Sequence, residues 1–329
     1  MTSLGWGILG PGRIAPRLVR AVAASARGEL IAVASRDGSR AAAFATSHGI
    51  PRPYPSYDAL LADPDVDVVY VSLPNHLHAE WTIRALEAGK HVLCEKPLAL
   101  AVDQVDAIAR ASEHAGRIAV EGFMYLHHPQ ILRAIELARG GALGRLELVN
   151  GTFSFMLTYP DDPRIDPSMG GGSLWDVGCY PVSFARRIAG EEPDRVAAFA
   201  HFDERGVDRT FIGQLHFLSG LLAQFDSGFA APDRERIEVV GSDATLVLTS
   251  PFLPDPDGPP PSLTMWHGRS PTTIEVASVD QYRAEVDDLT AAILDGTPPR
   301  LDLAFSRGTI ATLVNLDRSA RSSAMPTTG

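Results

Sequence analysis

Apolar positions in the first third of the chain follow two alternating textures. LGWGILG (4–10), ELIAVAS (29–35), VDVVYVSLP (66–74), HVLCEKP (91–97) and RIAVEGF (117–123) are short apolar runs bounded by turn residues. Between them, RIAPRLVRAVAAS (13–25), RDGSRAAAFATSHG (36–49), HLHAEWTIRALEAGK (76–90) and VDQVDAIARASEHAG (102–116) place apolar residues at helical spacing. Strands alternating with helices predict a doubly wound parallel sheet covered on both faces.

Beyond about residue 123 the texture changes. One helix, PQILRAIELARGG (129–141), leads into longer alternating runs: GRLELVNGTFSFML (144–157), TFIGQLHFLSGLLAQFDSG (210–228) and RIEVVGSDATLVLTS (236–250). These predict a large, mostly antiparallel open sheet. A Pro-rich stretch, PFLPDPDGPPP (251–261), reads as an exposed loop, and helices are expected at about 281–295 and 304–320. The fold class is α/β in a first domain, 1–123, and α+β in a second, 124–329, with the last helix a candidate to pack back on the first. A chain of 329 residues suits two cores better than one.

Composition narrows the function classes. A net charge of −11 argues against a general nucleic-acid binder. No apolar run of about 18 residues suggests a membrane span, and MTSLGWGILG enters a strand without a leader pattern. Cys94 and Cys179 are far apart in apolar surroundings, which implies no disulfide framework and a reducing, cytoplasmic setting.

The first motif is GILGPGRIA, in which Gly10, Gly12 and Ala15 match G-x-G-x-x-G/A between a strand and a helix. Glycines there permit a tight turn and close approach of a pyrophosphate, and the helix N-terminus supplies N–H donors. An NAD site wants an acid at the end of the second strand. Here Ser35 and Arg36 stand there, with Arg40 one turn on and Arg13 in the loop. Arginine suits a 2′-phosphate, so NADP is expected. Asp37 leaves NAD as the alternative, but it reads more naturally as a helix cap.

Ligands in open α/β sheets lie beyond the C-terminal strand ends. Leu73, Pro74, Asn75 and His78 follow one strand; Glu95 and Lys96 end another. With Gly10, Gly12, Arg13, Ile14, Ser35, Arg36 and Arg40 they form the expected cofactor-contacting set. His78 either faces this site or is a helix-surface histidine. A cation is disfavoured before a helix, so Lys96 is an odd structural choice. It either binds a substrate oxygen or is a plain surface lysine in a turn. His127 and His128 are adjacent and lack metal-site spacing, and no metal is expected.

GILGPGRIA, SLPNHLHAE, CEKPLAL and GGGSLWDVGCYPV together resemble the glucose–fructose oxidoreductase, inositol dehydrogenase and MocA (Gfo/Idh/MocA) family, over nearly the whole chain. The resemblance implies an N-terminal Rossmann domain, a C-terminal α/β domain with a large open sheet, and NAD(P)-dependent oxidation or reduction of sugars, cyclitols and related alcohols. It implies that Lys96 is the active-site lysine and that Pro97 shapes the turn beside the nicotinamide. Where many members carry histidine, this chain has DVGCY, with Asp176 and Tyr180. That form, with EGFMYLHHPQ, is similar to the branch of dimeric dihydrodiol dehydrogenase and NADP-dependent D-xylose dehydrogenase. The long export segment of glucose–fructose oxidoreductase is absent, which favours the cytoplasm.

If 176–180 is helical, Asp176 and Tyr180 share a face at i,i+4, and Pro181 places the helix start near Asp176. A nearby ammonium would lower the phenol's pKa from about 10 and let it exchange a proton with a substrate hydroxyl. Arg164 is a candidate substrate contact, and Phe123 and Tyr125 are candidate pocket walls. The expected function is an NADP-dependent aldose 1-dehydrogenase of the D-xylose or D-glucose type. The alternatives are a ketoreductase acting on a keto-sugar or sugar nucleotide, and a non-catalytic NAD(P)-binding regulator. A homodimer or homotetramer through the C-terminal sheet is expected, because open sheets bury themselves by pairing.

Overall fold

The computed structural model describes residues 3–159, 161–254 and 261–323, so positions 255–260 of the Pro-rich stretch lie outside the described residues. The chain forms two compact units, Met1–His127 with Asp280–Arg307, and His128–Val279 with Gly308–Gly329. The sequence pattern assigns 124–329 to the second unit, with only the last helix a candidate to pack back on the first. The segment 280–307 instead belongs to the first, because its helix packs on the opening helix of the chain.

The first unit runs β1 (Leu4–Leu9), α1 (Ala15–Ala24), β2 (Gly28–Ala34), α2 (Gly38–His48), β3 (Arg52–Tyr54), α3 (Tyr57–Leu61), β4 (Val68–Val71), α4 (His78–Glu87), β5 (His91–Glu95), α5 (Val102–Ala115) and β6 (Ala119–Gly122). Among the described residues these strands make a six-stranded parallel sheet ordered β3-β2-β1-β4-β5-β6. Ile8 lies opposite Val33 on one side and Tyr70 on the other. The order reverses direction between β1 and β4, so the turns after these two strands open a crevice at the C-terminal edge. Trp6, Ile8, Leu9 and Val68 are wholly buried, each contributing roughly 1.5–3 kcal/mol of apolar transfer.

The second unit begins with α6 (Pro129–Arg139) and β7 (Leu146–Met156), then α7 (Cys179–Ala189). Next come β8 (Arg195–Phe202), β9 (Asp208–His216), β10 (Leu222–Gly228), β11 (Ala230–Gly241), β12 (Thr245–Thr249), β13 (Ser262–His267) and β14 (Ser270–Glu275). Among the described residues the strands of this unit form an eight-stranded sheet ordered β14-β13-β12-β11-β7-β10-β9-β8. The pairing is antiparallel except between β10 and β7. The run 210–228, read as one strand, is the β9–β10 hairpin. Strict alternation along β9 buries Phe211 and Leu215 and leaves Ile212 exposed. The chain closes with α8 (Gln281–Asp295), in the first unit, and α9 (Leu303–Ser323), within which the unit boundary falls. No described helix is long and apolar enough to cross a membrane.

Candidate active site

The glycine loop joins β1 to α1. Gly10 has φ +88°, and a Cβ on it would come within 2.7 Å of Leu73 Cδ2. A Cβ on Gly12 would reach Ser72 O at 3.3 Å. The turn after β4 therefore sits directly against this loop. Ser72 fastens the two together: its hydroxyl donates to Gly10 O at 2.7 Å, and its N–H donates to Leu9 O at 3.1 Å. The first turn of α1 has no side-chain cap. A backbone cradle with an uncapped helix start fits a pyrophosphate. Arg13 is exposed and Ile14 half-buried beside it.

At the end of β2, Asp37 caps α2, accepting from Ser39 N at 2.9 Å and from the Ser39 hydroxyl at 2.6 Å. These bonds hold its carboxyl below the usual range. The buried Ser35 hydroxyl accepts from Asp37 N at 3.2 Å. Arg36 and Arg40 are exposed, and both bear on the phenol of Tyr57. Burial raises that phenol's pKa, and the two guanidinium groups oppose the rise.

The Lys96 turn is pinned on both sides. The Tyr70 phenol donates to Glu95 Oε1. Glu121 Oε1 accepts from Leu98 N at 2.8 Å. His78 is 1% exposed, with Nδ1 2.7 Å from Pro97 O and Nε2 2.7 Å from Leu73 O. Burial holds this imidazole below the ordinary histidine range, although both carbonyls favour the protonated ring. His78 thus corrects both readings of it: it ties the turn after β4 to the turn after β5, and its ring nitrogens are occupied by backbone. Lys96 is half-buried between the pinned residues and joins Pro97 through a cis bond. The helix-dipole argument for Lys96 does not hold, because α5 starts only at Val102. Pro74 and Asn75 are half-buried. Phe123 and Tyr125 are wholly buried, edge to face at 5.9 Å, in the turn before His127.

In the second unit, the expected regular helix start at Asp176 is replaced by a π-helical turn, Leu174–Gly178, leading into α7. Pro181 explains it: proline offers no N–H to the carbonyl four residues back and would clash with it, and a widened turn relieves both. Gly172, at φ +132°, packs where a Cβ would strike the Asp208 carboxylate. Asp208 Oδ2 accepts from the Ser173 hydroxyl at 2.6 Å and from Leu174 N at 2.8 Å. Burial pushes the Asp208 carboxyl up to about 6 against these two bonds.

Arg164 donates to both oxygens of Asp162 at 2.9 Å, lies 3.6 Å from Asp176 Oδ2, and covers the Phe155 ring at 5.1 Å. Burial disfavours the guanidinium charge, but the two carboxylates outweigh it. Tyr180 is 4% exposed and packs on Phe153 at 5.2 Å and Phe252 at 5.3 Å. Arg164 and Asp176 are brought together, with Tyr180 on the following turn.

Sequence reasoning passed over Ser72, Tyr70, Glu121, Asp162 and Asp208. Glu121 carried a visible signal, a carboxylate inside the apolar run IAVEGF.

Residues 4–123 match the model described as "Oxidoreductase family, NAD-binding Rossmann fold", and residues 131–247 match the C-terminal domain model of the same family. A D-xylose 1-dehydrogenase (NADP(+)) of Haloferax volcanii is 40% identical over 97% of this chain and 98% of its own. The chain belongs to the Gfo/Idh/MocA oxidoreductase family. Family members among solved structures include an aldose–aldose oxidoreductase from Caulobacter crescentus, at TM-score 0.90 and 31% identity, covering 98% of both chains. A 3-ketoreductase from Actinomadura kijaniata, in complex with NADP and TDP-benzene, superposes at TM-score 0.91 with 30% identity over 97% of this chain and 98% of its own. That ketoreductase has also been crystallised with a lysine replaced and with a tyrosine replaced by phenylalanine. This chain is accordingly an NAD(P)-dependent oxidoreductase.

Proposed function

We propose that the protein is an NADP-dependent dehydrogenase that oxidises an aldose of the D-xylose or D-glucose type at C1. The observation that carries this reading is the turn at 95–98, pinned from β4, α4 and β6, which carries a half-buried lysine at the C-terminal edge of the parallel sheet. The likeness to the Haloferax dehydrogenase supports the aldose. The likeness to the Actinomadura enzyme supports a second reading, reduction of a keto-sugar nucleotide.

When bound, the nicotinamide supplies hydride exchange. Gly10, Gly12, Arg13, Ile14, Leu73, Pro74 and Asn75 hold the dinucleotide's backbone-facing edge. Ser35, Arg36 and Arg40 take the 2′-phosphate, because Asp37 is committed to capping α2. Lys96 holds the reacting oxygen as a cation. Tyr180 accepts the hydroxyl proton as the C–H bond gives up its hydride, and returns it in reduction. Asp176, with Arg164 alongside, orients a substrate hydroxyl.

The test is nicotinamide absorbance with a panel of aldoses, cyclitols and keto-sugars, using NADP⁺ and NAD⁺ in parallel. Aldose turnover with NADP⁺ is expected. Tyr180→Phe is expected to lower kcat about 10²–10⁴-fold. Full turnover by that variant rules out the proposed proton route. Arg36→Ala is expected to reduce the NADP/NAD affinity ratio, and an unchanged ratio rules out the 2′-phosphate assignment.

The open face of the second unit's sheet exposes Phe199 (61%) and Ile212 (50%) at a shallow depression of about 450 Å³, and Leu222 (48%) on the neighbouring strand. We propose that it pairs with a second copy. Light scattering of Ile212→Arg checks this, with a smaller assembly expected. We place the enzyme in the cytoplasm. Both cysteines are buried and neither forms a disulfide, which suits that compartment.

A further inference from the structure

The connection between β7 and α7, within the second unit, carries a buried carboxylate that the proposed reaction does not use. Asp162 is 4% exposed. Its Oδ1 accepts from Arg164 N at 3.0 Å, which caps the short 3₁₀ turn Pro163–Ile165, and from Arg164 Nε at 2.9 Å. Its Oδ2 accepts from Arg164 Nη2 at 2.9 Å. The two side chains meet fork to fork, so the edge by which an arginine grips a carboxylate or phosphate is filled from within the protein. The guanidinium also covers the Phe155 ring at 5.1 Å. Backbone fixes the foot of the side chain: Arg164 O accepts from Gly172 N at 2.9 Å, and a Cβ on Gly171 would strike that carbonyl. Burial disfavours the guanidinium charge, and Asp162 and Asp176 together hold it.

The opposite edge of the guanidinium points at Asp176, with Nη1 3.6 Å from Oδ2. That separation is too long for a hydrogen bond. It suits a hydroxyl oxygen lying against both atoms, accepting from Nη1 and donating to the carboxylate. A carboxylate or a phosphate dianion in the same place can only accept, and would set a second anion against Asp176. One guanidinium facing two carboxylates also leaves this corner acidic. Asp176 stands four residues before Tyr180, roughly 5–6 Å along the helix axis, which matches the length of a sugar from C1 to its far hydroxyls. We propose that Asp162 sets the charge of the substrate: by clasping Arg164 it makes this turn a reader of neutral hydroxyls, and it turns away sugars with a carboxylate or phosphate at the end remote from C1. Asp162 acts through Arg164 and is a positioning residue. The proposal rests on the reading of Asp176 as the group that orients a substrate hydroxyl.

The test is calorimetric titration with D-glucose, D-glucuronate and D-glucose 6-phosphate, which share C1 and differ in charge at the far end; it needs no turnover. The wild-type protein should bind both anions at least about tenfold more weakly than D-glucose. Asp162→Asn removes one negative charge and loosens the fork, so it should narrow that ratio severalfold. Arg164→Gln removes the cation and keeps both carboxylates, so it should leave the ratio as wide or widen it. A purely structural role for Asp162 would weaken all three sugars by the same factor, and that result overturns the proposal. So does a wild-type protein that binds the anions as tightly as D-glucose, a measurement that stands even where Asp162→Asn does not fold. Binding of none of the three overturns the reading of Asp176 along with the proposal. Discrimination against the anions without reduction of NADP⁺ by any neutral aldose overturns the aldose dehydrogenase reading and leaves the charge selection standing.

Discussion

The turn that carries Lys96 and the turn that carries Asp176 and Tyr180 solve one problem in opposite ways. The first is held by polar side chains: the Tyr70 phenol donates to the Glu95 carboxylate, and Glu121 and His78 reach backbone at Leu98 and Pro97. The second is held by close approach and packing. Glycines let Asp208 and the Arg164 carbonyl come in under the chain, a π-turn absorbs Pro181, and Phe153 and Phe252 flank Tyr180. Polar pinning depends on protonation states and tolerates small changes of shape. Steric pinning tolerates changes of charge and fails when one methyl is added.

Gly172→Ala should give the largest loss. The added Cβ meets a buried carboxylate on a backbone that disfavours side chains, and about 3 kcal/mol or more should vanish from denaturant unfolding. If the cost is under about 1 kcal/mol, the steric account of this turn is broken. Asp208, which anchors the steric turn, responds to pH. Its carboxyl is raised from 3.8 to about 6, so the folded state keeps the proton longer than the unfolded chain. Stability should therefore fall as pH rises from about 4 to 6, by roughly 2–3 kcal/mol, and Asp208→Asn should flatten that slope in pH-dependent unfolding.

In the polar turn, Glu121→Val strands the Leu98 N–H without its acceptor and should cost about 2 kcal/mol, with a loss of turnover that Glu121→Gln largely restores. Equal turnover in the two variants would show that polar pinning is dispensable. Asp37→Ala should be the mildest, a small loss of unfolding stability from a lost helix cap. Its NADP/NAD ratio should stay constant in cofactor titrations, which separates capping from ribose binding.

Much of the first unit was legible because its strands are unbroken β-branched and apolar runs and its helices end in clear punctuation. The three-residue β3, Arg-Pro-Tyr, is too short to show a period and was missed. So were β8, β13 and β14, the last with an almost wholly exposed pattern. The glycine loop, Asp37 as a cap, and Glu95–Lys96 as a strand end could be read from neighbours in sequence. The partners that hold those residues could not: Asp208 lies 35 positions from Ser173, and Glu121 lies 23 from Leu98. Local periodicity reports which face a residue occupies; it does not report who waits on that face. His78 shows the limit best. The sequence leaves it either facing the site or on a helix surface, and the two carbonyls that engage it come from turns the pattern could not bring together.

The helix α8 belongs to the first unit, where it packs on α1 and the Ser25 hydroxyl donates to Asp287 at 2.7 Å. During synthesis this has a temporal meaning. His127 and Arg307 are separated by 180 residues, which at about 5–20 residues per second takes on the order of 10–40 s to add. For that interval the emerging first unit has an open face on α1, where α8 will pack. The second unit's sheet is translated while the first still waits for its last helix, so the ribosome delivers the parallel sheet early and the helix that covers α1 late.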